Sequence, residues 1–333
     1  MIICLKKDVD ELQKKRLLDF LQEQGALFSL NETDFGEVIV VVNGISEDVR
    51  QRISGFAFVS ATIPLEHQFK LAEKKSSEKT VISVKNTEIG NGFCLMAGPC
   101  AVQSEKQISS IAEEIVPLGA NVLRGGAFKP RTSPYSFGGL GKDGLDLLVK
   151  TGKDYGVPVV CELTSLKYID LYSEVDIIQV GARNMQNFEM LKELGRSQKP
   201  VLLKRGFGNT VNELLLSAEY ILSGGNSNVI LCERGVRSFE PVYRGMMDVT
   251  ALVYLKQKSH LPIIADPSHA SGSRNLVPSL ALACAAAGCD GIMTEVDPEP
   301  EKALSDAAQA IDIQTFGEIA KKSREIFSIL NRE

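Results

Sequence analysis

The chain has 333 residues, 44% of them hydrophobic and 24% charged, with a formal net charge of −5. This is the mix of a soluble globular protein, long enough for one barrel of ~250 residues plus a smaller domain, and it excludes disordered and fibrous classes. Lys and Arg alternate with Glu along helical stretches instead of forming a basic stripe, which argues against a nucleic-acid surface. There is no apolar run of ~20 residues to suggest a membrane span. The start, Met1 to Lys7, reads as a short strand ahead of a charged helix and not as a cleavable signal, so the expectation is a cytoplasmic protein. The seven cysteines are scattered and mostly inside apolar segments, as expected of buried thiols in a reducing compartment.

Residues 1–64 read as strand (Ile2 to Leu5), helix (Val9 to Glu23), strand (Ala26 to Leu30), strand (Glu37 to Val42), helix (Ser46 to Ile53) and strand (Ala57 to Ile63). This βαββαβ order predicts a ferredoxin-like domain. Residues 65–79, charged and almost without apolar side chains after Leu71, read as a solvated linker. Val81 to Val84 and Glu88 to Gly90 suggest a hairpin at the start of the larger domain, residues 80–333. From Gly92 onward, short apolar runs alternate with helical patterns: Phe93 to Ala97, Asn121 to Leu123, Pro158 to Cys161, Asp176 to Val180, Pro200 to Leu203, Asn228 to Cys232, Leu261 to Ala265 and Gly291 to Thr294. Eight such runs predict a (βα)8 TIM barrel, and continuous runs such as Val201-Leu202-Leu203 fit parallel strands buried on both faces.

The ends of these strands carry the functional signal, because the C-terminal ends of barrel strands share one mouth. In order they are Cys100, Arg124, Glu162, Arg183, Lys204 with Arg205, Arg234, His269 and Glu295. The loop Arg124-Gly125-Gly126-Ala127-Phe128-Lys129-Pro130-Arg131-Thr132-Ser133 interleaves cations with Gly and Pro, a pattern suited to binding phosphate. Gathered cations repel one another, so Arg124, Lys129, Arg131, Arg183, Lys204 and Arg234 call for substrates carrying phosphate and carboxylate charge. Cys100, His269, Glu295 and Asp306 form a mixed sulfur, nitrogen and oxygen set suited to a borderline divalent ion such as Mn, Fe, Co or Zn. Asp266 and Glu162 are candidates to orient those ligands and cations.

Ala97-Gly98-Pro99-Cys100, Leu123-Arg124-Gly125-Gly126, Lys129-Pro130-Arg131-Thr132-Ser133-Pro134-Tyr135-Ser136-Phe137, Gly181-Ala182-Arg183, Leu203-Lys204-Arg205-Gly206, Cys232-Glu233-Arg234-Gly235, Asp266-Pro267-Ser268-His269, and Pro298-Glu299-Pro300 with Ala303-Leu304-Ser305-Asp306 carry a resemblance. Together they resemble the 3-deoxy-D-arabino-heptulosonate 7-phosphate (DAHP) synthases of the short type I beta form, over about residues 80 to 330. The resemblance implies condensation of phosphoenolpyruvate with D-erythrose 4-phosphate to give DAHP and phosphate, the first step of the shikimate pathway. It implies that Arg124, Lys129 and Lys204 hold the phosphoenolpyruvate carboxylate side and that Arg183 and Arg234 hold its phosphate. Arg131 and Thr132 would take the erythrose phosphate, and Cys100, His269, Glu295 and Asp306 the divalent metal ion, with Lys129, Cys100 and His269 at the catalytic centre. It further implies feedback inhibition by an aromatic amino acid effector, Tyr or Phe, at the N-terminal domain, and a homotetramer.

The chain departs from the family pattern at Ala101, Asp297, Ala307 and Ala310, where Ser, His, Gly and Ser are usual, which puts metal preference in question. One rival is the octulosonate synthase that uses arabinose 5-phosphate, against which Pro130 directly before Arg131 argues. Another is a phosphate-ligand sensor that has lost the chemistry, which would be expected to have lost a ligand or a cation.

Overall fold

A computed structural model describes residues 1–6, 9–33, 36–42, 45–63, 69–75, 77, 79–129, 133 and 135–331. Two compact units, Met1–Lys70 and Leu71–Glu333, divide the chain inside the stretch read as a linker.

In the N-terminal unit the order is β1 (Ile2–Leu5), α1 (Glu11–Glu23), β2 (Phe28–Thr33), β3 (Gly36–Val41), α2 (Glu47–Ser54) and β4 (Val59–Ile63). The antiparallel sheet runs β2-β3-β1-β4, so the two β-α-β halves interleave and the unit is ferredoxin-like. Asp10 opens α1 with a capping box, its carboxylate accepting from Gln13 N–H while the Gln13 side chain accepts from Asp10 N–H. Leu17 and Leu21, one helical turn apart, then meet Ile3, Ile39 and Ile53 in the core of this unit.

The larger unit is a closed eight-stranded parallel barrel. Its strands are β7 (Cys94–Gly98), β8 (Val122–Arg124), β9 (Val159–Glu162), β10 (Ile177–Val180), β11 (Val201–Lys204), β12 (Val229–Glu233), β13 (Ile263–Ala265) and β14 (Gly291–Glu295). The barrel closes between β14 and β7, with Gly291 opposite Cys94. A Cβ on Gly291 would stand 2.1 Å from the Cys94 carbonyl oxygen, so that seam needs glycine. Around the barrel run α3 (Glu105–Ile115), α4 (Lys142–Asp154), α5 (Phe188–Arg196), α6 (Val211–Ser223), α7 (Val249–Lys258), the one-turn α8 (Pro267–Ser271), α9 (Val277–Ala286) and α10 (Ile313–Leu330). After β9 a 3-10 segment, Leu166–Glu174, stands where a regular α-helix would complete the repeat.

The hairpin β5 (Ile82–Val84) and β6 (Thr87–Ile89) decides which mouth is open. Its buried Ile82, Val84 and Ile89 join Met96, Val122, Ile177 and Met293 in the barrel core. Thr87 Oγ1 donates to Asn121 O at 3.1 Å and Lys85 pairs with Asp176 at 2.7 Å, both partners lying where strands begin. The hairpin therefore plugs the N-terminal face and leaves the C-terminal face for chemistry. Residues 71–74, read from sequence as solvated linker, are tied to the barrel unit. Ala72 N–H donates to a Glu219 carboxylate oxygen at 2.7 Å, and Lys74 N–H to Lys258 O at 2.8 Å. Among the described residues no helix is long and apolar enough to cross a membrane.

Candidate active site at the barrel mouth

The mouth starts with Gly98, the last residue of β7. Its φ of 150° and the 2.1 Å that would separate an added Cβ from the Arg124 carbonyl oxygen reserve the position for glycine. That close approach brings β7 and β8 together, and Arg124 Nη1 donates to Pro99 O at 2.7 Å and to Glu295 Oε1 at 3.0 Å. Lys129 folds back from the loop after β8, donating to Cys100 O at 3.1 Å and to Cys100 Sγ at 3.0 Å.

On the opposite side, each residue of Asp266-Pro267-Ser268-His269 has an assigned task. Asp266 Oδ1 accepts from His269 N–H and caps α8, and Pro267 begins the turn. Asp266 Oδ2 lies 2.7 Å from His269 Nδ1 and also pairs with Lys204. Ser268 Oγ accepts from Glu295 N–H at 3.0 Å. His269 Nε2 is thereby aimed at Glu295 Oε1, 3.2 Å away.

Cys100, Glu295 and Asp306 place a sulfur and two carboxylates within 4.8 Å of one another. Cys100 Sγ lies 3.2 Å from Asp306 Oδ2 and 3.0 Å from Ser305 Oγ. A buried thiol against two carboxylates fits a borderline divalent ion in donor chemistry and spacing. Burial pushes the Cys100 thiol up to about 12, with Glu295 adding to the effect and Lys129 opposing it. For Glu295, burial favours the neutral acid, but His269 and Arg124 outweigh it and hold the carboxyl well below the ordinary range. Asp266 is likewise held well below, His269 and Lys204 overcoming its burial.

Beside this cluster lies a cavity of about 320 Å³ lined by Lys129, Glu162, Gln179, Arg183, Lys204, Phe207, Arg234, Arg244, His269 and Asp306. Arg183 and Arg234 lie over the Phe207 ring, 5.3 and 4.7 Å from its centroid. Arg234 donates through Nη2 to His269 O at 2.7 Å, and burial, reinforced by Arg244, pulls its guanidinium below its usual value.

The structure thus brings together Cys100, Arg124, Lys129, Arg183, Lys204, Arg234, His269, Glu295 and Asp306. Arg131 and Thr132 lie outside the described residues. The mutual repulsion expected of the cations is partly offset inside the protein, because Glu295 neutralises Arg124 and Asp266 neutralises Lys204. Arg205, read as a cation of the mouth, pairs instead with Glu233 and Asp248, at 2.8 and 2.9 Å. Asp297 accepts from Gln107 Nε2 at 2.9 Å and from Glu299 N–H at 3.0 Å, outside the cluster of Cys100. Sequence reasoning missed Phe207, Arg244 and Gln309. Phe207 follows the Lys204-Arg205-Gly206 motif directly and Gln309 sits three residues after Asp306, so proximity to the motifs was the available signal.

Fold and site define a (βα)8-barrel enzyme whose mouth sets arginines and lysines beside a sulfur and carboxylate donor set. Residues 69–332 match the DAHP synthetase I family, and the chain belongs to that family. It is similar to the phospho-2-dehydro-3-deoxyheptonate aldolase of Thermotoga maritima, 41% identical over 333 residues, covering 99% of this chain and 98% of the relative. The crystal structure of the Thermotoga maritima DAHP synthase superposes with a TM-score of 0.80 at 40% identity, covering 99% of this chain and 97% of that one. A truncated form of that synthase covers 79% of this chain and 97% of its own, with a TM-score of 0.73 and 44% identity. The 2-dehydro-3-deoxyphosphooctonate aldolase of Geotalea uraniireducens is 32% identical over 270 residues, 75% of this chain and 98% of the relative.

Proposed function

We propose that the barrel condenses phosphoenolpyruvate with D-erythrose 4-phosphate to give DAHP and inorganic phosphate, the first step of the shikimate pathway. The observation that carries this reading is the 320 Å³ cavity, where Lys129, Arg183, Lys204 and Arg234 stand around one space beside Cys100, Glu295 and Asp306. The 41% identity to a phospho-2-dehydro-3-deoxyheptonate aldolase, against 32% to the octulosonate aldolase, supports the four-carbon sugar.

In the reaction the methylene carbon of phosphoenolpyruvate bonds to the aldehyde carbon, water adds at C2, and phosphate leaves. Arg183 and Arg234, fixed by the Phe207 ring, hold the phosphoenolpyruvate phosphate through its departure. Lys129, Lys204 and Arg124 face the carboxylate side. Arg124 Nε is buried without a hydrogen-bond partner, which fits a donor waiting for an anion. Arg131 and Thr132 are assigned to the erythrose phosphate. Cys100, Glu295 and Asp306, with His269 beside Glu295, would hold a divalent ion, one of Mn, Fe, Co or Zn, which would supply Lewis acidity toward the aldehyde oxygen or the attacking water. Cations fixed before the reaction stabilise the alkoxide and the departing phosphate without reorganising.

The N-terminal unit binds Tyr or Phe as feedback inhibitor, within a homotetramer. Its ferredoxin-like order and the match of the heptonate aldolase over the full chain support this reading.

The test is consumption of phosphoenolpyruvate by metal-reconstituted protein with erythrose 4-phosphate or arabinose 5-phosphate, each repeated with a chelator. Loss only with the four-carbon sugar, abolished by chelator, is the expected outcome, and silence with both sugars refutes the reading. Deleting residues 1–70 should leave an active enzyme that aromatic amino acids no longer inhibit; retained inhibition refutes the regulatory role.

A further inference from the structure

Gln309 is buried, 2% exposed, and lies between two groups of opposite hydrogen-bonding character. Arg244 Nη1 donates to Gln309 Oε1 at 2.7 Å, and Gln309 Nε2 donates to Glu295 Oε2 at 2.7 Å. An amide presents an acceptor on one side and donors on the other, and its neighbours decide which way it faces. Arginine only donates, so the atom facing Arg244 has to be the oxygen, and the NH2 group is then turned onto the carboxylate. With the amide reversed, two donors would meet at Arg244 and two acceptors at Glu295. Glu295 Oε1 is already occupied by Arg124 and His269, so the Gln309 amide settles the direction of Oε2.

Arg244 is itself seated by the segment that presents His269. Its N–H donates to Ser271 O at 3.3 Å, and a Cβ on Gly272, φ +66°, would meet Arg244 Cβ at 2.6 Å. The same Nη1 lies 3.9 Å from Asp306 Oδ1.

We infer that Gln309 is a positioning residue for the Glu295 carboxylate, with Arg244 holding the amide in its donating orientation. The inference rests on the proposed divalent ion at Cys100, Glu295 and Asp306, and it concerns how tightly the chain holds that ion. A partner that orients a ligating carboxylate typically changes metal affinity by about 10- to 100-fold.

The test is Mn2+ binding to the full-length, chelator-stripped protein, read from free Mn2+ by electron paramagnetic resonance and requiring no turnover. Gln309→Met changes no charge and is expected to raise the Mn2+ dissociation constant about tenfold. Arg244→Met also removes a positive charge, which by itself tightens a cation, so its effect is compared in the wild-type and Q309M backgrounds, where the charge contribution cancels. Coupling of about threefold or more is expected, with Arg244→Met more damaging while Gln309 is present. Arg244→Lys, which keeps both donor and charge, should stay within about twofold of wild type. Gln309→Leu repeats the measurement should Gln309→Met fold poorly. If wild type binds Mn2+ and neither Gln309 variant weakens it, or the two positions do not couple, the inference is overturned alone. A wild-type chain that binds no Mn2+ overturns the metal reading and this inference with it.

Discussion

Lys129 Nζ lies 3.0 Å from Cys100 Sγ and 3.1 Å from the carbonyl oxygen of the same residue, so one ammonium ties the turn after β7 to the loop after β8. Burial works against the lysine's charge, but Cys100 and Glu295 outweigh it and hold the ammonium above its ordinary value. Gly126 makes the fold-back possible, since a Cβ there would stand 2.8 Å from Cys100 O and 2.9 Å from Lys129 Cδ. A substrate anion entering the cavity therefore meets a cation whose position is already fixed.

Lys129→Met keeps the length of the stem and removes the charge. Turnover should fall at least about a hundredfold, as when one preorganised electrostatic contact is lost, while the melting temperature stays within about 3 °C of wild type. Steady-state kinetics with phosphoenolpyruvate and erythrose 4-phosphate check the first, and thermal unfolding the second. Turnover surviving the change would remove Lys129 from the chemistry.

Two glycines of the mouth should respond in opposite ways to the same substitution. In Gly98→Ala the new Cβ meets backbone, 2.1 Å from the Arg124 carbonyl oxygen, at φ 150°, and neither partner can yield. A loss of about 3 kcal/mol or more, or an insoluble protein, is expected. In Gly181→Ala the Cβ meets the side-chain atom Glu162 Oε1 at 1.9 Å. Glu162 lines the cavity, so its carboxylate can swing aside with little strain, but it then disturbs the place where Arg183 and Lys204 wait. Gly181→Ala should melt near wild type while kcat/KM for phosphoenolpyruvate falls about tenfold or more. Equal melting temperatures for the two variants would contradict this assignment of backbone against side chain.

The barrel was legible because a parallel strand buried on both faces writes a continuous apolar run, as Val201-Leu202-Leu203 and Val229-Ile230-Leu231 do, and its end is marked by the first polar residue. The cluster of Cys100, Glu295 and Asp306 was legible for the same reason, since barrel closure carries strand ends to one mouth whatever their separation in sequence. What the sequence hid are relations set by that closure without periodicity. The β5-β6 hairpin reads as a small hairpin, and nothing local says that Ile82 and Ile89 enter the barrel core. Gln309 is marked in the sequence only by its nearness to Asp306, because its role depends on Arg244, 65 residues away. Asp297 looked like a change near the metal ligands, but the turn of Glu299 and the Gln107 amide take up its carboxylate.

Arg205 shows the limit of reading charges at strand ends, since it follows Lys204 directly yet faces a different set of partners. Its Nη1 holds Glu233 and Asp248, its Nε donates to Asn209 O at 2.8 Å, and Glu233 is fully buried. Burial raises the Glu233 carboxyl, while Arg205 and the Gly235 N–H oppose the rise. Arg205→Met removes most of that opposition and leaves an uncompensated buried carboxylate, which should cost about 3–5 kcal/mol near neutral pH and lower the melting temperature by roughly 10 °C. The sign of the pH dependence follows from the raised carboxyl. Between the ordinary glutamate range, about 4, and the higher folded value, the folded state keeps a proton that the unfolded state has released, so stability falls as pH rises through this window. The defect of Arg205→Met relative to wild type should therefore be smallest near about pH 5 and largest near about pH 8, with kcat of the folded fraction unchanged. A defect that grew toward acid pH, or a loss of kcat without a loss of stability, would return Arg205 to the mouth of the barrel, where the sequence alone had placed it.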